Sequence, residues 1–133
     1  MHLLLSSYLT SLTTLLCLDA LWIGLIMRPF YSKHLGHLFA DTISVLPAAA
    51  FYLMYPLGLT VFVVAPHVKG PLTTTIALGA LLGFIAYGTY DFTNQATLKN
   101  WPLIVTIVDL AWGTMVTALT AGITKLILNW MQS

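Results

Sequence analysis

The chain has 133 residues, of which 59% are hydrophobic and 7% are charged, and its formal net charge is +1. Soluble domains carry roughly 25% charged residues, so this chain cannot cover a water-facing surface and most of its surface must face lipid. A net charge so close to zero also argues against a nucleic-acid partner. The composition therefore predicts an integral membrane protein whose main partner is the lipid bilayer.

Four apolar stretches follow one another along the chain, at about 3–27, 43–65, 72–96 and 102–128. Each is long enough to cross a bilayer, which needs about 20 apolar residues in a helix. Short connections make successive helices antiparallel neighbours, and only the first connection is long enough to hold structure of its own. The pattern predicts one all-α domain over residues 1–133, a polytopic bundle of four transmembrane helices. The single cysteine, Cys17, lies in the first stretch and is expected to be a small buried apolar residue.

Basic residues give a weak signal for orientation. Arg28, Lys33 and Lys99 lie in the first and third connections, whereas Lys69 and Lys125 belong to the opposite side of the bilayer. Cytoplasmic connections carry the excess of Lys and Arg. This count favours cytoplasmic first and third connections.

The most informative residues are three aspartates inside predicted spans, Asp19, Asp91 and Asp109. Acids within the hydrocarbon core are costly and usually face a bundle interior or a cavity. Each lies eight or nine residues, about 12–13 Å, from a helix end on the same side of the bilayer. The three carboxyl groups are therefore expected to occupy one layer near the midplane.

Helical periodicity places further polar and aromatic side chains in this layer. Asp and Trp recur three residues apart in the first and fourth helices, and the second helix reaches the same depth at two tyrosines. The six residues expected there are Tyr52, Tyr55, Tyr87, Asn94, Trp22 and Trp112. The tryptophans are either packing residues or walls of an acidic pocket whose ring faces suit a cation.

The acid layer has no Lys or Arg predicted within it to balance the charge. At neutral pH, at least one carboxyl group therefore carries a proton shared by the cluster, or a cation is bound. Proton relay and cation binding are common roles for intramembrane acids. The alternative is that neutral aspartates hydrogen-bond the helices together.

Other motifs carry less information. His34 and His37 give only a weak metal-site signal, and an interfacial patch is the favoured interpretation, so no metal site is predicted. Signatures of zinc proteases, serine hydrolases and phosphate-binding loops are absent, so the sequence names no cofactor and leaves enzymatic activity open. Gly79 and Gly83 form a G-x-x-x-G spacing that permits close helix approach, either within the bundle or between two copies.

Several runs of the sequence form recognisable motifs. They are LDALWIG at 18–24, FYLMY at 51–55, YGTYDFTN at 87–94 with ATL at 96–98, and WPL at 101–103 leading to VDLAWGT at 108–114. These runs resemble the bacterial membrane proteins grouped as domain of unknown function 2177. The positions that match the family's motifs are Asp19, Asp91, Asn94, Asp109 and Trp112. The resemblance covers nearly the whole chain. It implies a bacterial inner-membrane setting and a four-helix layout, and it adds no chemistry.

Three classes of function fit these observations. The first is a small transporter or channel for a proton or small cation, which requires a homodimer because four helices alone enclose little volume. The second is a membrane enzyme or accessory factor with a lipid ligand, and the third is a structural or sensory subunit. Asp→Asn substitution separates them in part, since an amide preserves hydrogen bonding but cannot give up a proton.

Overall fold

A computed structural model describes residues 2–132, which form helices and the turns between them. The helices are α1 (His2–Ile26), α2 (Arg28–Leu35), α3 (Val45–His67), α4 (Leu72–Thr97) and α5 (Leu103–Gln132). All except α2 are long and apolar enough to cross a membrane. The predicted fold class, an all-α bundle of four membrane-spanning helices, is confirmed.

The helix bounds differ from the sequence estimates by a few residues, most at the end of α5, which continues to Gln132. The first connection holds α2 and a single 3-10 turn at Gly36–Leu38. Leu35 of α2 is buried with Trp101 and Val105 at the start of α5. The connection therefore folds back onto the end of the bundle.

Two of the spanning helices are irregular. The last part of α1, Ala20–Ile26, is π-helical and closes with a 2.7 Å hydrogen bond from the Met27 amide to the Trp22 carbonyl. In α3, Pro56 lies inside the helix and a π-helical turn follows at Thr60–Val64. Proline cannot donate a backbone hydrogen bond, and π turns often occur at functional sites. These turns change the direction of side chains on the two helices that face the acids.

In contrast, α4 and α5 are regular and lie unusually close together. A Cβ added at Gly83 would lie 2.1 Å from the Gly113 carbonyl oxygen, and one added at Gly79 would lie 3.0 Å from the Thr117 carbonyl oxygen. The G-x-x-x-G spacing thus serves a helix contact within the chain. Small residues at such contacts let helix backbones approach in lipid, where dispersion replaces hydrophobic burial.

The bundle buries polar side chains and exposes apolar ones, as expected for a chain surrounded by lipid. The Ser7 hydroxyl donates to Thr60, and Lys125 donates to the carbonyls of His67 and Val68 at 3.0 and 2.5 Å. A cation at these carbonyls caps the C-terminal end of α3. Cys17, by comparison, is exposed on the outer face of α1, so the expectation of a buried cysteine was wrong. Helical periodicity places it away from the buried face formed by Ser11, Leu15 and Asp19 in α1.

Candidate functional site

Asp19 is the last residue of α1 before the π-helical turn, and its side chain is only 4% exposed. Both carboxylate oxygens accept hydrogen bonds, one from the Tyr52 hydroxyl at 2.8 Å and one from the Trp112 indole nitrogen at 3.1 Å. Because these donors belong to α3 and α5, Asp19 joins three helices at one point. Both donors are uncharged, so neither neutralises the carboxylate.

Asp109 in α5 receives its hydrogen bond from outside the four spanning helices. The Tyr31 hydroxyl of α2 donates to it at 2.5 Å and itself accepts a longer bond, 3.4 Å, from the Trp22 indole nitrogen. Burial, and then the hydrogen bond to Asp109, raise the pKa of Tyr31 above its ordinary value of 10.0. Tyr31 therefore remains a hydrogen-bond donor at every physiological pH.

The two Asp-x-x-Trp segments of α1 and α5 are cross-linked. Trp112 of the second segment donates to Asp19 of the first, whereas Trp22 of the first reaches Asp109 of the second through Tyr31. The two indole rings stack with centroids 4.2 Å apart and planes 3° from parallel. Because each ring covers one face of the other, those faces are closed to a cation. This stack supports the packing interpretation of the tryptophans more than the cation–π interpretation.

Asp91 in α4 is the most deeply buried of the acids. Its side chain is 0% exposed, and its carboxyl group lies close enough to the Asp109 carboxyl group for the two to interact electrostatically. Within the part of the chain that the structure describes, neither Asp91 oxygen has a hydrogen-bond partner. Two ionised carboxylates offer only acceptors, so this contact becomes a hydrogen bond only when one of the two carries a proton.

A cavity of about 280 Å³ lies beside the acids, with Asp19, Asp109 and Tyr31 in its wall. A larger cavity, about 660 Å³, lies next to it towards the first connection. The two cavities share Ile23, Tyr31 and Phe39 as wall residues. The Tyr31 ring therefore stands between the outer cavity and the acids.

The remaining residues predicted for this layer lie at different distances from the acids. Tyr87 lines the smaller cavity, and its ring fills the space that a side chain at Gly113 would occupy. The Tyr55 hydroxyl shares a 2.7 Å hydrogen bond with Thr117 rather than with a carboxylate. Asn94 lies beside the Tyr90 hydroxyl and is not in the wall of either cavity. Tyr55 packs in one cluster with Trp112 and Tyr87. Asn94 is the one predicted residue that none of these contacts joins to the group, which contains Asp19, Asp91, Asp109, Tyr52, Tyr55, Tyr87, Trp22 and Trp112.

Sequence reasoning missed Tyr31, which lies 78 residues from its partner Asp109 in the chain. The available signal was the apolar spacing of Phe30, Tyr31 and Leu35 among Ser32, Lys33 and His34, which is typical of a short helix lying on a bundle. His34 forms a local contact with the Phe30 carbonyl at 3.0 Å. Within residues 2–132, no group of three or more His, Cys, Asp or Glu side chains is placed to hold a metal ion.

Comparison with known proteins gives a family and no activity. Residues 4–126 match the model of a family described as predicted membrane protein, DUF2177. Searches of curated proteins and of solved structures gave no match. The family match confirms the resemblance seen in the motifs, and together with four apolar spanning helices it places the chain in a membrane. The chain belongs to the DUF2177 family of predicted membrane proteins.

Proposed function

We propose that this protein binds and releases a proton, or a small cation in its place, at the carboxyl pair formed by Asp91 and Asp109. The observation that carries the proposal is the fully buried Asp91 carboxyl group, which lies beside Asp109 and has no hydrogen-bond partner among the described residues. Like charges in such contact repel strongly in a medium of low polarity. A proton or a bound cation between the two groups removes that repulsion.

Access to the pair is from one side. Asp109 lies in the wall of the 280 Å³ cavity, whereas Asp91 is 0% exposed. A proton entering from the first connection would reach Asp109 before Asp91. Tyr31, which donates to Asp109 at the boundary of the two cavities, must move or rotate for a larger cation to pass.

The setting that we propose is the inner membrane of a bacterium, with two copies of the chain forming the working unit. A single bundle of four helices encloses little volume, and the 660 Å³ cavity opens beside the first connection. Passage across the bilayer therefore requires a second copy or an alternative packing of α1–α3 on α4–α5.

A purely structural role is the second candidate, because a protonated Asp91 would simply join α4 to α5. Asp91→Asn separates the two roles. Its amide can donate to Asp109 and so preserve the helix contact, but it cannot release a proton. Asp41→Asn is the matched control, since Asp41 is the exposed aspartate of the first connection.

The test combines infrared spectroscopy of protonated carboxyl groups with proton flux in liposomes, from about pH 5 to pH 9. We expect the wild type and Asp41→Asn to show a carboxylic-acid band that responds to pH or to added Na⁺ or K⁺, together with flux. Asp91→Asn should lose both while keeping its thermal unfolding midpoint. A band that never responds, with no flux in any variant, would assign the pair to structure alone.

A further inference from the structure

We propose that the larger cavity, beside the first connection, binds the headgroup of a phospholipid that carries both a phosphate and a primary ammonium group. This site lies outside the acid pair and goes beyond the proton or cation binding proposed above. The cavity has a volume of about 660 Å³ and is lined by the end of α1, by α2 and by residues 39–43. Ligand sites of proteins commonly have volumes of 300–1,000 Å³.

The wall of this cavity carries one charge of each sign. Arg28 and Asp41 both line it, together with the Ser32 hydroxyl. Within residues 2–132, neither Arg28 nor Asp41 has an ion-pair or hydrogen-bond partner. Arginine binds phosphate oxygens through two parallel N–H donors, and a carboxylate accepts from an ammonium group. A zwitterion with both groups complements this wall better than a simple anion or cation.

The apolar part of the wall favours a lipid over a soluble zwitterion. Ile23, Phe39 and Ile43 line the cavity, and Ile43 is 77% exposed. In a chain surrounded by lipid, such exposed apolar side chains contact acyl chains. The cavity also lies where α1 ends and α3 begins, which is the depth of the headgroup region in a bilayer. A headgroup seated between Arg28 and Asp41 therefore leaves its acyl chains beside an apolar wall.

The two charged residues divide the recognition between them. Arg28 contacts the phosphate that every phospholipid carries, so its loss should weaken the binding of all phospholipids. Asp41 contacts the ammonium group, so its loss should remove only the preference for that headgroup. Both side chains are exposed, and their substitution leaves the packed bundle intact.

The experiment measures lipid binding to purified, detergent-solubilised protein by native mass spectrometry. The lipids share their acyl chains and differ in their headgroups, which are phosphoethanolamine, phosphocholine and phosphoglycerol. We expect the phosphoethanolamine lipid to bind most tightly to the wild type. Asp41→Asn should weaken its binding about tenfold, to the level of the other two lipids, and Arg28→Gln should weaken all three by about tenfold.

Lys99→Gln is the control for loss of a positive charge, because Lys99 is exposed in the turn between α4 and α5. It should bind all three lipids as the wild type does. Equal binding of the three lipids by the wild type, unchanged in Asp41→Asn and Arg28→Gln, would overturn the proposal and leave only non-specific lipid contact. Soluble phosphoethanolamine binding as tightly as the lipid would overturn it in favour of a water-soluble ligand. Asp91→Asn tests the acid pair separately and should bind these lipids normally.

Discussion

The two halves of the bundle are built differently. In the α4–α5 half the helices are regular and glycines bring their backbones into contact, as at Gly83 and Gly113. In the α1–α3 half, α1 and α3 each contain a π-helical turn, and both cavities have walls from this side. The acids lie where the halves meet, with Asp91 and Asp109 on the close-packed half and Asp19 on the irregular half. The carboxyl pair of the close-packed half thus faces the irregular half.

The largest expected effect comes from separating the close-packed half. In Gly83→Ala, the new Cβ would lie 2.1 Å from a backbone oxygen, which cannot move without shifting α5. We expect a loss of about 3 kcal/mol in the free energy of unfolding, typical of overpacking at a rigid contact. Unfolding by sodium dodecyl sulfate in mixed micelles, followed by circular dichroism, measures this loss.

Gly58→Ala provides the control on the irregular half. A Cβ at Gly58 in α3 would have no atom within 4 Å, so alanine should be neutral or should stabilise the helix by up to about 1 kcal/mol. Equal losses in the two variants would contradict the contrast between the halves.

The second-largest effect concerns the contact between the two halves, where Trp22 and Trp112 form hydrogen bonds of different lengths. Trp112→Phe keeps an aromatic ring but removes the 3.1 Å bond to Asp19, whose side chain is 4% exposed. We expect a loss of about 1–3 kcal/mol. Trp22→Phe removes only the 3.4 Å bond to Tyr31 and should cost less than about 1 kcal/mol.

The same unfolding measurement compares Trp112→Phe with Trp22→Phe. If both variants lose the same free energy of unfolding, the ring stack rather than the hydrogen bond to Asp19 stabilises the contact between the halves. The ring stack is common to both, with centroids 4.2 Å apart, so the difference between the variants isolates the hydrogen bonds.

The sequence predicted the spanning helices well because hydrophobic length alone specifies a membrane-crossing helix. It also predicted one layer for Asp19, Asp91 and Asp109, since helical rise converts residue number into distance, and the structure brings Asp19 and Asp109 to one cavity. The directions of side chains after Asp19 were harder to predict, because the π-helical turn at Ala20–Ile26 breaks the regular 100° step. For that reason the sequence could not predict which group the Trp22 indole reaches. The sequence could not predict where α2 docks, since no local pattern indicates which buried group a connecting helix will contact.

Tyr31 on α2 therefore offers the smallest but most specific test of the irregular half. Tyr31→Phe removes the donor to Asp109, which is only partly buried and faces a cavity where water can replace the hydroxyl. We expect a loss of less than about 1 kcal/mol at neutral pH. At alkaline pH the variant should differ from the wild type in a second way, through the raised pKa of Tyr31.

The folded protein holds the Tyr31 proton above pH 10.0, whereas the unfolded chain releases it. The stability that this group contributes is complete below pH 10 and falls by about 1.4 kcal/mol per pH unit as pH rises towards the raised pKa. Tyr31→Phe should make the decline in unfolding free energy between about pH 10 and pH 11 shallower by that amount. Trp22→Phe keeps the Tyr31 hydroxyl and should retain the wild-type slope. If Tyr31→Phe also retained the wild-type slope of unfolding free energy against pH, α2 would not be docked on Asp109. The outer cavity would then open directly onto the acids.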